Sequence, residues 1–462
     1  MSNKRGKSIG NRESLTLTAE INRLYKSSAS AFLTKVIGAG SSLLLALLVA
    51  RYLGAEQAGV YYTAITLGVF CSFLACMGLD QPLMREAAAF KEGCNNAFLQ
   101  MVGRAVKMGL FGLAIVTCVF IFAADNIAAY FRQSQLENII PLWTIVVVST
   151  VIINLSGQIL RGFNRILEAS FIFFGSVNIL TLILLIIAMM FDRKVLSWIP
   201  DIEILIDGIS IRLSPLEGAL TAYILASIAT ALLAFVKVRN VIKSLQANND
   251  INEEKIHYRK VFASGFSFLI IGVSTRGLNW IAILILAKLQ DSEQVAIFSS
   301  AQRIALSIGF VLDSVAMAVG PKFVELYRKN DLNTLQKLYL RSTMLTIVII
   351  LPIVIILWLY GPIFMSFFGP EFIVGSTALI FLCIAQFISA VAGPNGQVMI
   401  AAHKEKVLRN IAFISFPLVI AFHLLFVPSY GYTGTAAVTA LTIILTNIVI
   451  SIFVYKKILF RN

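Results

Sequence analysis

Long apolar blocks separated by short polar ones set the rhythm of this chain. Apolar stretches of about 18–28 residues lie at roughly 29–50, 57–80, 105–124, 139–160, 169–191 and 216–236, and again at 260–287, 294–318, 342–360, 374–396, 410–427 and 432–455. About twenty apolar residues at 1.5 Å each cross a hydrocarbon core of about 30 Å, so each block predicts a transmembrane helix, twelve in all. Ahead of the first block, Leu17, Ile21 and Leu24 recur at helical spacing beside Glu20 and Arg23. This predicts a short amphipathic helix over 14–26 lying on the membrane surface. The apolar run that follows, about 22 residues, exceeds the core of a cleaved signal peptide and reads as an uncleaved first span. Residues 202–213 break the rhythm: Ile202, Ile204 and Ile206 alternate up to Asp207-Gly208, and Ile209, Ile211 and Leu213 alternate away from it. An Asp-Gly turn between alternating segments predicts an external β-hairpin, with an irregular loop as the alternative.

The second six blocks repeat the first six. LVARYLGAEQAGVYYTA (48–64) returns 237 positions later as ILAKLQDSEQVAIFSSA (285–301), with four of seventeen positions identical, Glu56/Glu293 and Gln57/Gln294 among them. Pro82/Pro321, Glu86/Glu325, Leu99-Gln100/Leu335-Gln336 and Gly157-Gln158/Gly396-Gln397 echo in the same order. An even number of spans per copy gives both copies one orientation. The expected fold is therefore an all-α polytopic membrane protein, with two six-helix lobes related by a pseudo-twofold axis along the membrane normal and a site between them. The divisions are a tail at 1–28, lobes at 29–236 and 260–457, a polar basic linker at 237–259 and a second tail at 458–462.

Composition agrees with this pattern. A mean hydropathy of +0.84, with 58% hydrophobic and 13% charged residues over 462, excludes a soluble globule. A net charge of +14 would suggest nucleic acid if it were clustered on a soluble face. Instead, both tails and alternate loops hold 28 of the 38 basic residues, and the opposite loops hold six: Arg51, Arg132, Arg193, Lys194, Arg212 and Lys288. This bias predicts cytoplasmic termini and no nucleic-acid partner. Five cysteines without CxxC spacing and three scattered histidines predict no metal site and no disulfide framework. With no phosphate loop and no GxSxG elbow, neither an enzyme nor a cofactor is expected. GPNGQ at 393–397 predicts a break in the tenth helix.

The four remaining basic residues, Lys35, Lys107, Arg276 and Arg303, fall within spans. An unpaired cation at membrane depth costs about 2.5–3.5 kcal/mol or more, so such residues face a cavity or a partner. The first span places Ser28, Ala31, Lys35, Gly38 and Ser42 on one helical face. The seventh does so with Gly265, Gly272, Arg276 and Asn279, and the eighth with Ser300, Arg303, Ser307 and Ser314. Arg276 and Arg303 read as ligands of an anion in a cavity, with pairing of Arg303 to Asp313 as the alternative. Lys35 reads as a ligand or as a lysine snorkelling to the interface, and Lys107 as interfacial. Asp80 and Asp313 read as gate partners, coupling-ion ligands or interfacial charges. Asn154, Gln158, Gln302, Gln386 and Gln397 are polar candidates for substrate contact or for bridging helices.

LVARYLGAEQAGVYYTA, followed by MGLDQPLMREAA at 77–88, resembles the amino-terminal signature of the polysaccharide biosynthesis or oligosaccharide flippase family. That family belongs to the multidrug/oligosaccharidyl-lipid/polysaccharide (MOP) exporter superfamily. The resemblance covers essentially the whole chain. It implies a monomer in the bacterial inner membrane that carries undecaprenyl-pyrophosphate-linked oligosaccharide outward by alternating access, driven by H+, Na+ or the membrane potential. Its implied partners are membrane lipids, glycosyltransferases and a polysaccharide polymerase, in pathways such as O-antigen or exopolysaccharide synthesis. Guanidinium groups suit a pyrophosphate through charge-assisted, often bidentate hydrogen bonds. The rival readings are a cation-coupled multidrug exporter of the same superfamily, whose site should be rich in carboxylates, and a membrane-embedded glycosyltransferase or polymerase, which would want an acidic or histidine cluster.

Overall fold

The structure, a computed structural model, describes residues 3–89, 95–191, 214–246 and 265–459 except 267, 271 and 274–276; residues 3–33, 35, 89, 95–101, 174, 191, 244–246, 317, 318, 321 and 405 enter by their backbone only. Nearly every described residue is helical, and no strand occurs among them. The expected hairpin at 202–213 and Arg276 lie outside the described residues.

Among the described residues, eight helices are long and apolar enough to cross a membrane. Two of the longest are folded-back pairs. Helix Asn3–Ala75 reverses at Gly54 (φ 71°) and helix Glu405–Val454 at Gly431 (φ 53°), left-handed conformations that glycine adopts without a Cβ penalty. Hydrogen bonds across each bend establish the reversal. The Tyr62 hydroxyl donates to the Ala46 carbonyl (2.9 Å), and Thr439 Oγ1 meets His423 Nε2 (3.4 Å). In straight helix those partners would stand about 24 Å apart. With each pair counted as two spans, the bent pair Ile166–Phe173 and Ser176–Met190 as the fifth, and Gly277–Leu289 as part of the seventh, the chain makes the twelve spans expected. The segment 14–26 is helical and continues without a break into the first span.

Local chemistry sets where several helices start and stop. Ser214 and Glu217 cap the helix Pro215–Gln246 reciprocally, the Ser214 N–H donating to Glu217 Oε2 (2.7 Å) and the Glu217 N–H to Ser214 Oγ (3.3 Å). Asp331 accepts from the Thr334 N–H (3.1 Å) at the start of Leu332–Ser366. The tenth span ends at Ala392, turns through Gly393 (φ 71°) and Pro394, and resumes at Asn395, which is the break read from GPNGQ.

Turns alternate strictly between the two ends of the bundle. Gly54, Arg132, Gly369 and Gly431 lie at the end away from the amino terminus, called here the far end; Met77-Gly78, Asn164, Asn330 and His403 lie at the near end. A continuous core of Val49, Tyr61, Trp143, Phe298 and Phe372 runs through both halves at the far end and centre. Toward the near end it divides into two separate cores, one around Leu83, Leu160 and Ala234 and the other around Phe323, Tyr339 and Val398. The lobes are thus joined at the far end and part at the near end. The start of the seventh span bridges them there, where Gly265 and Gly272 pack against Met77–Leu79 and Phe73 of the second span. These two glycines serve close helix packing. Outward-facing Phe111, Phe122 and Leu425 are exposed, as lipid-facing side chains should be.

Candidate functional site

Between the parted cores, on the side of the first lobe, lies a cavity of about 440 Å³. The fourth span, Leu136–Gly162, contributes Thr150, Asn154, Gln158 and Arg161, which fall on one face because they are spaced by three and four residues. Asp80 and Cys76 close the near-end rim of the second span, and Asn178 faces them from the fifth. Phe73, Phe173, Tyr223 and Trp280 form aromatic walls, Trp280 coming from the opposite lobe. One side of the cavity therefore offers hydrogen-bonding groups of both kinds, and the other offers flat apolar rings.

Gln158 is the informative member of this set. Its residue is 3% exposed and its Oε1 has no hydrogen-bond partner among the described residues. A buried unmatched acceptor costs about 1–3 kcal/mol, a cost that an incoming donor from a substrate would remove. Arg161 stands at the mouth of the cavity, its guanidinium carbon 6.0 Å from the centre of the Phe173 ring. Gln158→Met should therefore leave thermal stability unchanged or raise it by up to about 3 kcal/mol, since no internal hydrogen bond is lost and an unmatched acceptor is removed. Transport per molecule should fall by about three- to tenfold, the worth of one hydrogen bond. A melting transition that drops in step with transport would assign Gln158 to the fold instead.

A second feature sits deeper, on the seam between lobes. Arg303, in the eighth-span helix Ser292–Arg328, lies with its guanidinium 4.8 Å over the Tyr62 ring and 3.4 Å from the Ser42 hydroxyl. The first and eighth polar faces do meet. Tyr223 connects the seam to the cavity: it lines the cavity, stacks on Trp143 (6.0 Å) and meets Tyr61 edge-on (6.5 Å). Among the described residues Arg303 makes no ion pair. Asp313 is ten residues further along an unbroken helix, about 15 Å, beyond the reach of a direct pair.

The other sequence candidates divide. Asn154, Gln158 and Asp80 come together in the cavity. Gln302 is buried beside Arg303 with an unmatched Nε2. Gln386 and Gln397 pack against Gly309 and Gly320 of the eighth span, away from the cavity. Asp313 is exposed. The side chain of Lys35, like Arg276, lies outside the described residues. At the near end of the second lobe one buried polar cluster is matched internally: the Tyr339 hydroxyl lies 2.6 Å from the Ala392 carbonyl and 2.8 Å from Asn395 Oδ1, and Asn395 Nδ2 donates to Ser451 (2.7 Å). Arg161 and Asn178 were missed by the sequence reading. The i, i+4, i+7 relation of Asn154, Gln158 and Arg161 was the signal that could have found the arginine.

Known proteins place this geometry in context. The sequence model of the polysaccharide biosynthesis protein family matches residues 24–327, and the MatE model matches 276–425. No curated protein matches by sequence alone. Among solved structures, the lipid II flippase MurJ in an inward closed conformation aligns with a TM-score of 0.72 at 14% identity, covering 94% of this chain and 88% of that one. An inward-facing multidrug resistance MATE family transporter of the MOP superfamily aligns with a TM-score of 0.66 at 14% identity, covering 92% and 96%. An outward-facing structure of such a transporter scores 0.59, also at 14% identity.

Proposed function

This chain belongs to the polysaccharide biosynthesis protein family, and from that premise we propose that it is a flippase carrying undecaprenyl-pyrophosphate-linked oligosaccharide from the cytoplasmic to the outer leaflet. Its twelve-span, two-lobe MOP transporter fold supplies the alternating-access frame. The observation that carries the reading is Arg303: a cation at the lobe seam, over a tyrosine ring and without a carboxylate partner among the described residues, suits a pyrophosphate. Arg276 and Lys35 are proposed to complete that anion site. The cavity beside it, with Asn154, Gln158, Asp80 and Arg161 facing Phe173 and Trp280, suits the first sugars of the glycan. Movement of anionic charge outward is assisted by the membrane potential, by up to about 2.3 kcal/mol per charge per 100 mV.

The second reading, a cation-coupled multidrug exporter, draws on the MatE match and on Asp80 in the cavity. Arg161 in the same cavity opposes a cationic guest. Purified protein in liposomes carrying a fluorescent pyrophosphate-linked glycolipid separates the two. Leaflet exchange of the glycolipid supports the flippase, whereas efflux of a cationic dye without glycolipid exchange overturns it.

The near end is proposed as cytoplasmic, from the 28-to-six division of basic residues. A reporter fused at Ser197 is expected to read as external and one at Asn249 as cytoplasmic. The opposite pair of readings would invert the orientation and, with it, the direction of transport.

A further inference from the structure

The far end is closed by two contacts that the internal repeat makes twice. Arg51, at the end of the first span, reaches across the seam so that its Nε–H donates to the Phe367 carbonyl (2.6 Å). Lys288, at the end of the seventh span, reaches the other way and places its ammonium 3.9 Å over the Tyr130 ring. Arg51 and Lys288 are 237 positions apart, and so are Tyr130 and Phe367. That is the offset of the repeat itself. The turns that receive the cations also match. Tyr130-Phe131-Arg132 and Phe367-Phe368-Gly369 each bury their second aromatic ring and then turn through a positive φ, 54° at Arg132 and 149° at Gly369.

From this we propose that Arg51 and Lys288 are a pseudo-symmetric pair of latches holding the outer face shut, each lobe giving one cation and receiving the other. Both contacts lie at the far end, with Arg51, Phe367 and Tyr130 exposed and Lys288 half-buried, away from the cavity and from Arg303, so they act on the equilibrium between conformations and not on the substrate. Because the contacts stand on either side of the pseudo-twofold axis, separating the lobes at the far end breaks both. The two differ in chemistry. The Arg51 latch ends on a backbone carbonyl and survives substitution of the Phe367 side chain, whereas the Lys288 latch depends on the aromatic ring of Tyr130.

The test uses the full chain with Ser300→Cys, a fully buried seam position, labelled from outside by a membrane-impermeant maleimide. Native Cys76, on the inner cavity, is labelled in inside-out vesicles, and both sites are read by mass spectrometry. Arg51→Ala and Lys288→Ala are each expected to raise labelling at residue 300 by about three- to tenfold and to lower it at Cys76. The double variant should show the product of the two effects. Tyr130→Phe should behave as the parent, since it keeps the ring, and Tyr130→Leu as Lys288→Ala. Labelling at residue 300 unchanged within twofold in the double variant overturns the proposal. So does a rise at both reporters together, which would mean general loosening and not a latch. Neither readout requires a transported substrate.

Discussion

Replacing Arg303 with alanine is expected to leave the protein inserted and abundant while surface glycan per molecule falls by roughly a hundredfold or more. A hydrogen bond to a charged group contributes about 1.5–3 kcal/mol, and a two-pronged guanidinium–phosphate contact contains two of them. What the fold itself loses is smaller: a cation over one ring, worth about 0.5–2 kcal/mol, and a long contact to Ser42. Removing the arginine also removes a costly charge from membrane depth, so stability should change little. Arg303→Lys should recover only part of the loss, because lysine keeps the charge without the planar fork. Arg276→Ala is expected to match Arg303→Ala if both hold one pyrophosphate. Normal glycan per molecule in the Arg303→Ala protein would remove the phosphate from this site.

Much of this architecture was legible because membranes impose coarse, regular rules. Twelve apolar blocks of crossing length, the offset of 237 and the Gly393-Pro394 break all became spans, lobes and a broken tenth helix. Helical spacing put Ser42 and Arg303 each on a polar face of its own span, but that those two faces meet is a finding of the structure. Less legible was anything set by which helix lies beside which. Gly265 and Gly272 share a face with Arg276, and spacing alone left open whether they line a cavity or pack a neighbour; they receive the second span, because a glycine that opens space for a ligand opens it equally for a neighbouring backbone. Arg161 counted as one more basic residue of a near-end loop, although three helical steps of the fourth span carry it into the cavity. Asp313 looked like the partner of Arg303 by proximity in sequence, whereas the straightness of the eighth helix carries it away. Arg51 and Lys288 entered only as sparse charges of one side, since their receivers, Phe367 and Tyr130, lie 316 and 158 positions away along the chain.

The closed far end also depends on a position where only glycine fits, and Gly59→Ala is expected to abolish export. A Cβ at residue 59 would fall on the Ser292 carbonyl, with the carbonyl carbon and Cα of Ser292 close behind it. Both partners are backbone: Gly59 belongs to the second span of one lobe, and Ser292 opens the eighth span of the other. No flexible side chain is available to move aside. Overpacking typically costs about 1–3 kcal/mol, and two conformations of a transporter differ by only a few kcal/mol, so the clash is large enough to invert the equilibrium. Each lobe keeps its own near-end core, so the protein should still insert. Cys76 should then react more slowly from the inner side, and substrate loading at the inner cavity should cease. Gly103→Ala, whose added Cβ meets nothing within 4 Å, is the matched control and should transport normally. Equal transport by the two alanine variants would mean that the seam tolerates separation at the second and eighth spans, and that closure of the far end rests on other contacts.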